Sequence, residues 1–145
     1  YDDFIETIDV IIMGRGSYEA ILGFDMDWLY PEQQTWIITQ EKSLQKPHEN
    51  IHLWHGALED LMQHLALKAD ENCWFLGGGQ LISDAINKQL LDRLELFIIP
   101  VLLGSGIPLF PTKEAPFNTL KIEKLTLIGE AISHHSYIFD RNQGF

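Results

Sequence analysis

Apolar residues along this chain follow two rhythms, and the alternation between them predicts its elements. Short, mostly continuous apolar runs, the pattern of strands buried on both faces, occupy residues 8–14, 36–39, Ile51–Trp54 and 73–76. Between them the spacing lengthens. Residues 57–68 place Leu58, Leu61, Met62, Leu65 and Ala66 on one side at i, i+3, i+4, which predicts an amphipathic helix. Residues 15–22 take helical spacing until Gly23 stops them, residues 1–7 read as a short opening helix, and a further helix runs from the glycines at 77–79 to about residue 90. Residues 41–50, polar with one proline, read as a surface connection.

The rhythm then changes. Residues 93–103 form a long apolar run interrupted by Pro100, read as one strand, and residues 104–108 are a loop. Residues 119–132 and 134–139 alternate loosely without helical spacing, as antiparallel strands do. Strands alternating with helices, followed by strands alone, predict an α/β fold. Its central sheet is mixed and mostly parallel, covered by helices and extended by C-terminal antiparallel strands. With 145 residues and no linker or repeat, a single domain over 1–145 is expected.

Charge narrows the partners. Ten Lys and Arg against 21 Asp and Glu leave a formal net charge of −11, without the basic footprint that duplex nucleic acid or an anionic membrane surface requires. No apolar run approaches the ~20 residues of a spanning helix. The single cysteine, Cys73, cannot form an internal disulfide, which points to a reducing, cytoplasmic setting.

Candidate chemistry gathers where strands hand over to helices. The corner Gly77-Gly78-Gly79 leaves one strand and enters a helix at Gln80-Leu81, so bare backbone and free helix amides meet there. A second corner, Gly14-Arg15-Gly16-Ser17, adds a fork-shaped cation and a hydroxyl expected to cap the helix or donate to a ligand. A third strand ends in Thr39-Gln40. Donors and small residues at three such ends predict one groove for a long, two-ended polyanion, a dinucleotide by preference.

The segments Met13-Gly14-Arg15-Gly16-Ser17-Tyr18-Glu19, Trp36-Ile37-Ile38-Thr39, Leu76-Gly77-Gly78-Gly79 and His134-His135-Ser136-Tyr137-Ile138-Phe139 resemble, in order and spacing, those of dihydrofolate reductases. The segment from Leu90 to Phe110, with Leu103-Gly104-Ser105-Gly106-Ile107-Pro108-Leu109-Phe110, is more similar to a sister branch. That branch is the reductase domain of the bacterial bifunctional riboflavin-biosynthesis deaminase–reductase and its stand-alone relatives. The resemblance implies a three-layer α/β/α dihydrofolate-reductase-like fold, NADPH as cofactor, hydride transfer to a small pterin-, folate- or riboflavin-precursor-like substrate, and a homodimer. By position it implies Gly14, Arg15 and Ser17 at the adenosine-side phosphates and Thr39 and Gln40 near the ribose. It also implies Leu76, Gly77, Gly78, Gly79, Gln80 and Leu81 around the diphosphate. It further implies a first strand that lies outside this sequence. No catalytic acid or base is assigned. The competing reading is a dinucleotide-binding module without turnover.

Other constellations are weaker. His52, His55, His134 and His135 lack a Cys or Asp at ligand spacing, so no metal is expected. Cys73 reads as an inert buried thiol, Asp84 as a carboxylate favouring a helix dipole, and Trp28, Tyr30 and Trp36 as packing.

Overall fold

Val10, Ile11, Ile12 and Met13 are all buried, and the strand they form is the axis of the first part of the chain. The computed structural model describes residues 2–111 and 119–141, in two compact units that divide after Ile82. The first unit opens with α1 (Asp2–Ile5), whose acidic first turn suits the helix dipole. It continues through β1 (Val10–Gly14), α2 (Arg15–Leu22), β2 (Gln34–Ile38), β3 (Ile51–Trp54), α3 (Leu58–Leu65), β4 (Cys73–Gly77) and the start of α4 (Gly79–Asn87).

Four parallel strands form one sheet in the order β3-β2-β1-β4. The chain therefore winds outward from β1 to β3, then returns to the other side of β1 to lay down β4. That reversal is a topological switch point, and it opens beyond the carboxyl ends of β1 and β4. Side chains alternate across the sheet. One face gives Ile11, Met13, Ile37 and Ile51 to a cluster with Tyr18 of α2 and with Tyr30; Leu53, Trp74 and Leu76 pack against it. On the other face, His64 of α3 meets Trp36 and Trp54, each with ring centroids 5.3 Å apart. Helices on opposite faces give the three layers expected of the fold.

Aromatic rings extend the first cluster. Phe4, Trp74, Tyr30, Trp28 and Tyr18 follow one another edge to face at centroid separations of 5.1, 6.0, 5.6 and 5.8 Å. Each contact adds to plain area burial. Trp28 and Tyr30 are thus packing residues, as expected.

In the second unit, β5 (Arg93–Ile98), β6 (Thr119–Ile128) and β7 (Ile132–Asp140) form an antiparallel sheet of their own, in the order β5-β7-β6. One face carries a polar network: Arg93 forks onto Glu123, while Glu95 accepts from Ser136 Oγ at 2.7 Å and meets His134 Nε2 at 2.6 Å. Ile122, Leu125 and Leu127 are exposed on the other face.

Several boundaries differ from the pattern-based expectation; the strand expected over 119–132, for example, ends at Ile128, before a turn at Gly129 (φ 62°). The strand expected over 93–103 stops at Ile98, because Pro100 has no N–H to offer a ladder and the Val101 N–H turns back to the Ile99 carbonyl at 2.8 Å. The helix expected over 57–68 ends at Leu65, where Ala66 adopts a left-handed conformation (φ 44°) and its N–H reaches the Met62 carbonyl. The last helix ends at Asn87 rather than near residue 90. There Gln89 turns left-handed (φ 55°), and the Gln89 and Leu90 N–H groups close the end on the carbonyls of Ile86 (3.0 Å) and Ala85 (2.9 Å). Tyr1, the first residue of the expected opening helix, lies outside the described residues.

A buried amide secures the entry to β2. Asn50 Nδ2 donates to the carbonyls of Tyr30 (3.0 Å), Pro31 (2.9 Å) and Gln33, and its own carbonyl accepts the Thr35 N–H at 2.9 Å. Replacing Asn50 by Ala removes the donor these carbonyls share, of which only the Tyr30 carbonyl is seen to keep another, Trp28 Nε1 at 3.0 Å. We expect Asn50→Ala to lose about 2 kcal/mol of stability, read as a lower urea midpoint at unchanged m-value.

Candidate functional site

The site is built from the end of β1. Gly14 closes the strand and is also the N-cap of α2, so helix follows strand without a loop. Its side-chain-free cap leaves the first amides of α2 unpaired by any capping hydroxyl. Ser17, expected as an N-cap, instead lies inside the first turn of α2, because the helix starts directly at Arg15. Arg15 is exposed, and its Nε stands 3.7 Å from Glu19 Oε1 one turn on.

The second corner lies beside the first. Pairing of β4 with β1 steps from Ile12↔Phe75 to Met13↔Gly77, a bulge that takes up Leu76 and brings Gly77 level with the end of β1. The space a side chain would fill at Gly77 lies 3.3 Å from Ser17 Oγ, and at Gly78 the same space lies 3.8 Å from it. The two corners therefore converge on one hydroxyl. Gly78 is exposed and has φ +88°, a conformation costly to any residue with a Cβ. Its carbonyl accepts the Ile82 N–H at 3.0 Å, leaving the Gly79, Gln80 and Leu81 amides as the unpaired first turn of α4. Among the described residues nothing lies within 4 Å of where a Cβ would stand at Gly14 or Gly16. The cradle is open.

The third strand end joins through register. Gly14 pairs with Ile38, so Arg15 and Thr39 are each one residue past neighbouring strand ends. Thr39 is buried, with its Oγ1 accepting the Glu41 N–H at 3.0 Å and its carbonyl facing His55 Nδ1 at 2.6 Å. Gln40 is exposed and donates through Nε2 to the His55 carbonyl at 3.2 Å. Leu76 packs against the core cluster and shapes the corner from below. Of the expected residues, Ser17, Gly77 and Gly78 thus come together, Gly14 and Arg15 form the start of the helix that carries Ser17, Gly79, Gln80 and Leu81 make the first turn of α4, and Thr39 and Gln40 border the β2 end.

The residue that motif reading passed over is Glu41. Its Oε1 accepts from Ser43 Oγ at 2.6 Å and from the Ser43 N–H at 2.9 Å. The Ser43 hydroxyl first, then the Ser43 amide, hold this carboxyl below the ordinary carboxylate range, with smaller help from the Lys42 amide and, last, the charge of Arg15. The only signal in the sequence was an acid two residues beyond Thr39, within a stretch that reads as polar loop.

Elsewhere the candidates are structural. Desolvation pushes the half-buried Cys73 thiol up to about 12. His52 stacks on Trp36 at 4.6 Å, bonds Gln34 Oε1 at 2.8 Å, and is held below the ordinary histidine value by burial and then by Lys46. Asp84 sits past the first turn of α4 and pairs with Lys88 at 3.0 Å, so its partner is a side chain and not the helix terminus. Among the described residues no three His, Cys, Asp or Glu side chains gather as a metal set.

A bulged edge, glycine corners and two helix starts at a switch point form the setting into which known proteins can be fitted. The family model described as the RibD C-terminal domain matches residues 17–133. The chain belongs to this family. The matched range begins at Ser17 and takes in the β2 end and the Gly77–Gly79 corner. YwjB of Bacillus subtilis (strain 168) is 28% identical over 137 residues, covering 93% of this chain and 76% of YwjB. A Shewanella sp. PV-4 protein named for riboflavin biosynthesis superposes with a TM-score of 0.86 at 25% identity, over 97% of this chain and 79% of its own. A pyrimidine reductase-like protein of Corynebacterium diphtheriae superposes with a TM-score of 0.70 at 13% identity, over 97% and 81%. At that identity the last likeness shows the fold alone.

Two outcomes are expected from this geometry. Gly78→Ala forces a left-handed alanine and should cost about 1–2 kcal/mol in chemical denaturation, whereas Gly14→Ala, with open space before it, should cost well under 1 kcal/mol. For Cys73, a thiol raised from 9.0 to about 12 stays protonated in the fold. Stability should be level below pH 9 and fall as pH rises toward 12, because the unfolded chain releases a proton that the folded chain retains. Cys73→Ala should flatten that part of the pH–stability curve, and Ellman's reagent at pH 8 should label the thiol promptly only after unfolding.

Proposed function

We propose that this RibD C-terminal domain binds a reduced nicotinamide dinucleotide along the carboxyl edge of its parallel sheet. There it reduces a small heterocyclic substrate of the pterin, folate or riboflavin-precursor kind. The observation that carries the reading is the convergence of two side-chain-free corners on Ser17 Oγ at the switch between β1 and β4. Family membership supports it, as do the names of the Shewanella and Corynebacterium proteins. NADPH is the form that the resemblance implies.

The residues suit such a ligand. Where Gly14 and Gly16 leave their side-chain space open, a phosphate can reach backbone N–H groups that a Cβ would shield. The first amides of α2 and α4 would donate to phosphate oxygens, helped by the positive ends of both helices. Arg15 would supply the counter-charge, and Ser17 Oγ a donor shared by both corners. Thr39 and Gln40 would border the ribose. When bound, the dinucleotide supplies the hydride. What the chain must add is mainly placement, with reacting carbons held roughly 3–3.5 Å apart and water excluded, so the chemistry asks for few acid or base groups.

Gly14→Asp tests this directly. Aspartate is a favourable N-cap, so the fold should hold or gain slightly, while a carboxylate now fills the cradle. NADPH binding by calorimetry should weaken at least tenfold with Tm unchanged or raised. Wild-type protein that shows no saturable binding of NADPH or NADH would end the dinucleotide reading. Binding without oxidation by any flavin, pterin or pyrimidine acceptor would favour a module without turnover.

A further inference from the structure

We infer that a cleft at the amino end of the parallel sheet is a binding site for linear aliphatic diamines and polyamines, chains of methylenes that carry ammonium groups. The cleft has a volume of about 490 Å³ and is built wholly within the first unit, from the turn between α1 and β1 and the segment that leads into β2. That volume lies in the range of small-molecule sites. Asp9 stands one residue before β1 and Gln33 one residue before β2, whereas the Gly14 corner closes β1 at its other end. The five residues of β1, at about 3.3 Å each, set the cleft roughly 15 Å from that corner. The site is therefore separate from the dinucleotide groove, and the inference stands or falls without it.

The lining suits such a chain along its length. Ile8 belongs to the core cluster, Ile5 packs against it, and Leu29 is 41% exposed, so the floor is apolar. Methylenes laid on that floor leave water. Glu6, Asp9 and Glu32 add three carboxylates, and the lining holds no Lys, Arg or His. Asp9 Oδ2 accepts the Asn72 N–H at 2.8 Å, whereas the Glu6 and Glu32 carboxylates have no hydrogen bond or ion pair among the described residues. An acidic rim alone would gather only counter-ions. Gln33 adds an independent mark of a ligand. It is 7% exposed, and its Nε2 donates to the Ile5 carbonyl at 3.2 Å. Its Oε1, on a side chain that lines the cleft, has no partner among the described residues. A buried amide oxygen left unpaired is costly. A primary ammonium, with three N–H donors, answers that oxygen while the carboxylates answer its charge. The walls are fixed beforehand: the Gln33–Ile5 bond ties the end of α1 to the entry of β2, and the Asp9 carbonyl accepts the Gln34 N–H at 3.1 Å.

The experiment titrates the full chain, by calorimetry and amide-resolved NMR at low ionic strength, with cadaverine, ethylenediamine and pentamethonium, the fully N-methylated form of cadaverine. Cadaverine should bind saturably and shift the amides of Ile8, Asp9, Gln33 and Gln34 first. Ethylenediamine, with the same charge on a shorter stem, should bind about fivefold more weakly. Pentamethonium keeps charge and stem but donates no N–H, and should also lose about fivefold. Glu6→Gln and Glu32→Gln should each weaken cadaverine about threefold, and together about tenfold, with unchanged melting curves. Leu29→Ala should weaken cadaverine about threefold and leave ethylenediamine as it was. Glu130→Gln, exposed in the turn after β6, should change nothing. Amide shifts spread over the acidic surface, equal affinities for the three ligands, or a loss in Glu130→Gln matching that in Glu6→Gln would each reduce the effect to general charge attraction and overturn the inference. No saturable binding of cadaverine below about 10 mM would overturn it as well.

Discussion

The position of β1 between β2 and β4 is the constraint on which the rest depends. Because the chain winds outward from β1 to β3 and then returns to the opposite side, all four strand ends face the same edge while only the β1–β4 seam lies at a reversal. Every feature of interest is placed by that seam. The bulge brings Gly77 level with Met13, Ser17 Oγ fills the gap, and two helices begin within a few residues of each other. A side chain at Gly77 would crowd the hydroxyl that joins the corners, and one at Gly78 would require an unfavourable backbone. Gly77 and Gly78, costly as they are to order, answer a geometric demand.

Packing beneath the seam keeps it in place. The ring series from Phe4 to Tyr18 passes through Trp74 of β4 and ends on α2, so the two elements that form the corners share one buried cluster. Tyr18 also carries the core outward. Its hydroxyl, raised above the ordinary tyrosine value by burial, stays protonated and donates to Gln45, tying the loop beyond β2 to α2. Loop position is thereby linked to the core through a residue distant in sequence.

The second unit works by a different rule. Its antiparallel sheet joins strands through ion pairs and hydrogen bonds on one face, where Arg93, Glu95, Glu123, His134 and Ser136 form a connected set. Such surface pairs contribute little individually and gain mainly as a network. Pro100 ends the β5 run, so Val101, Leu102 and Leu103, which apolar composition assigned to a strand, lie exposed in irregular backbone.

The sequence by itself determined which segments are strands and which are helices, because burial on one or two faces imposes a period that survives translation into composition. Residues 8–14, Ile51–Trp54 and the glycine corner could be read this way, and the resemblance carried by Gly14-Arg15 and Gly77-Gly78-Gly79 led to the right family. Helix ends were less legible, since Ala66 stops α3 through a left-handed conformation that no residue preference announces. Only the tertiary structure decided what touches what. Strand order, the bulge at Leu76 and the placing of Ser17 inside its helix rather than at the cap are outcomes of pairing between segments some sixty residues apart. The β1–β2 register is a further case: pairing of Gly14 with Ile38 sets Arg15 and Thr39 one residue past neighbouring strand ends, and no local pattern encodes a neighbour supplied by another strand.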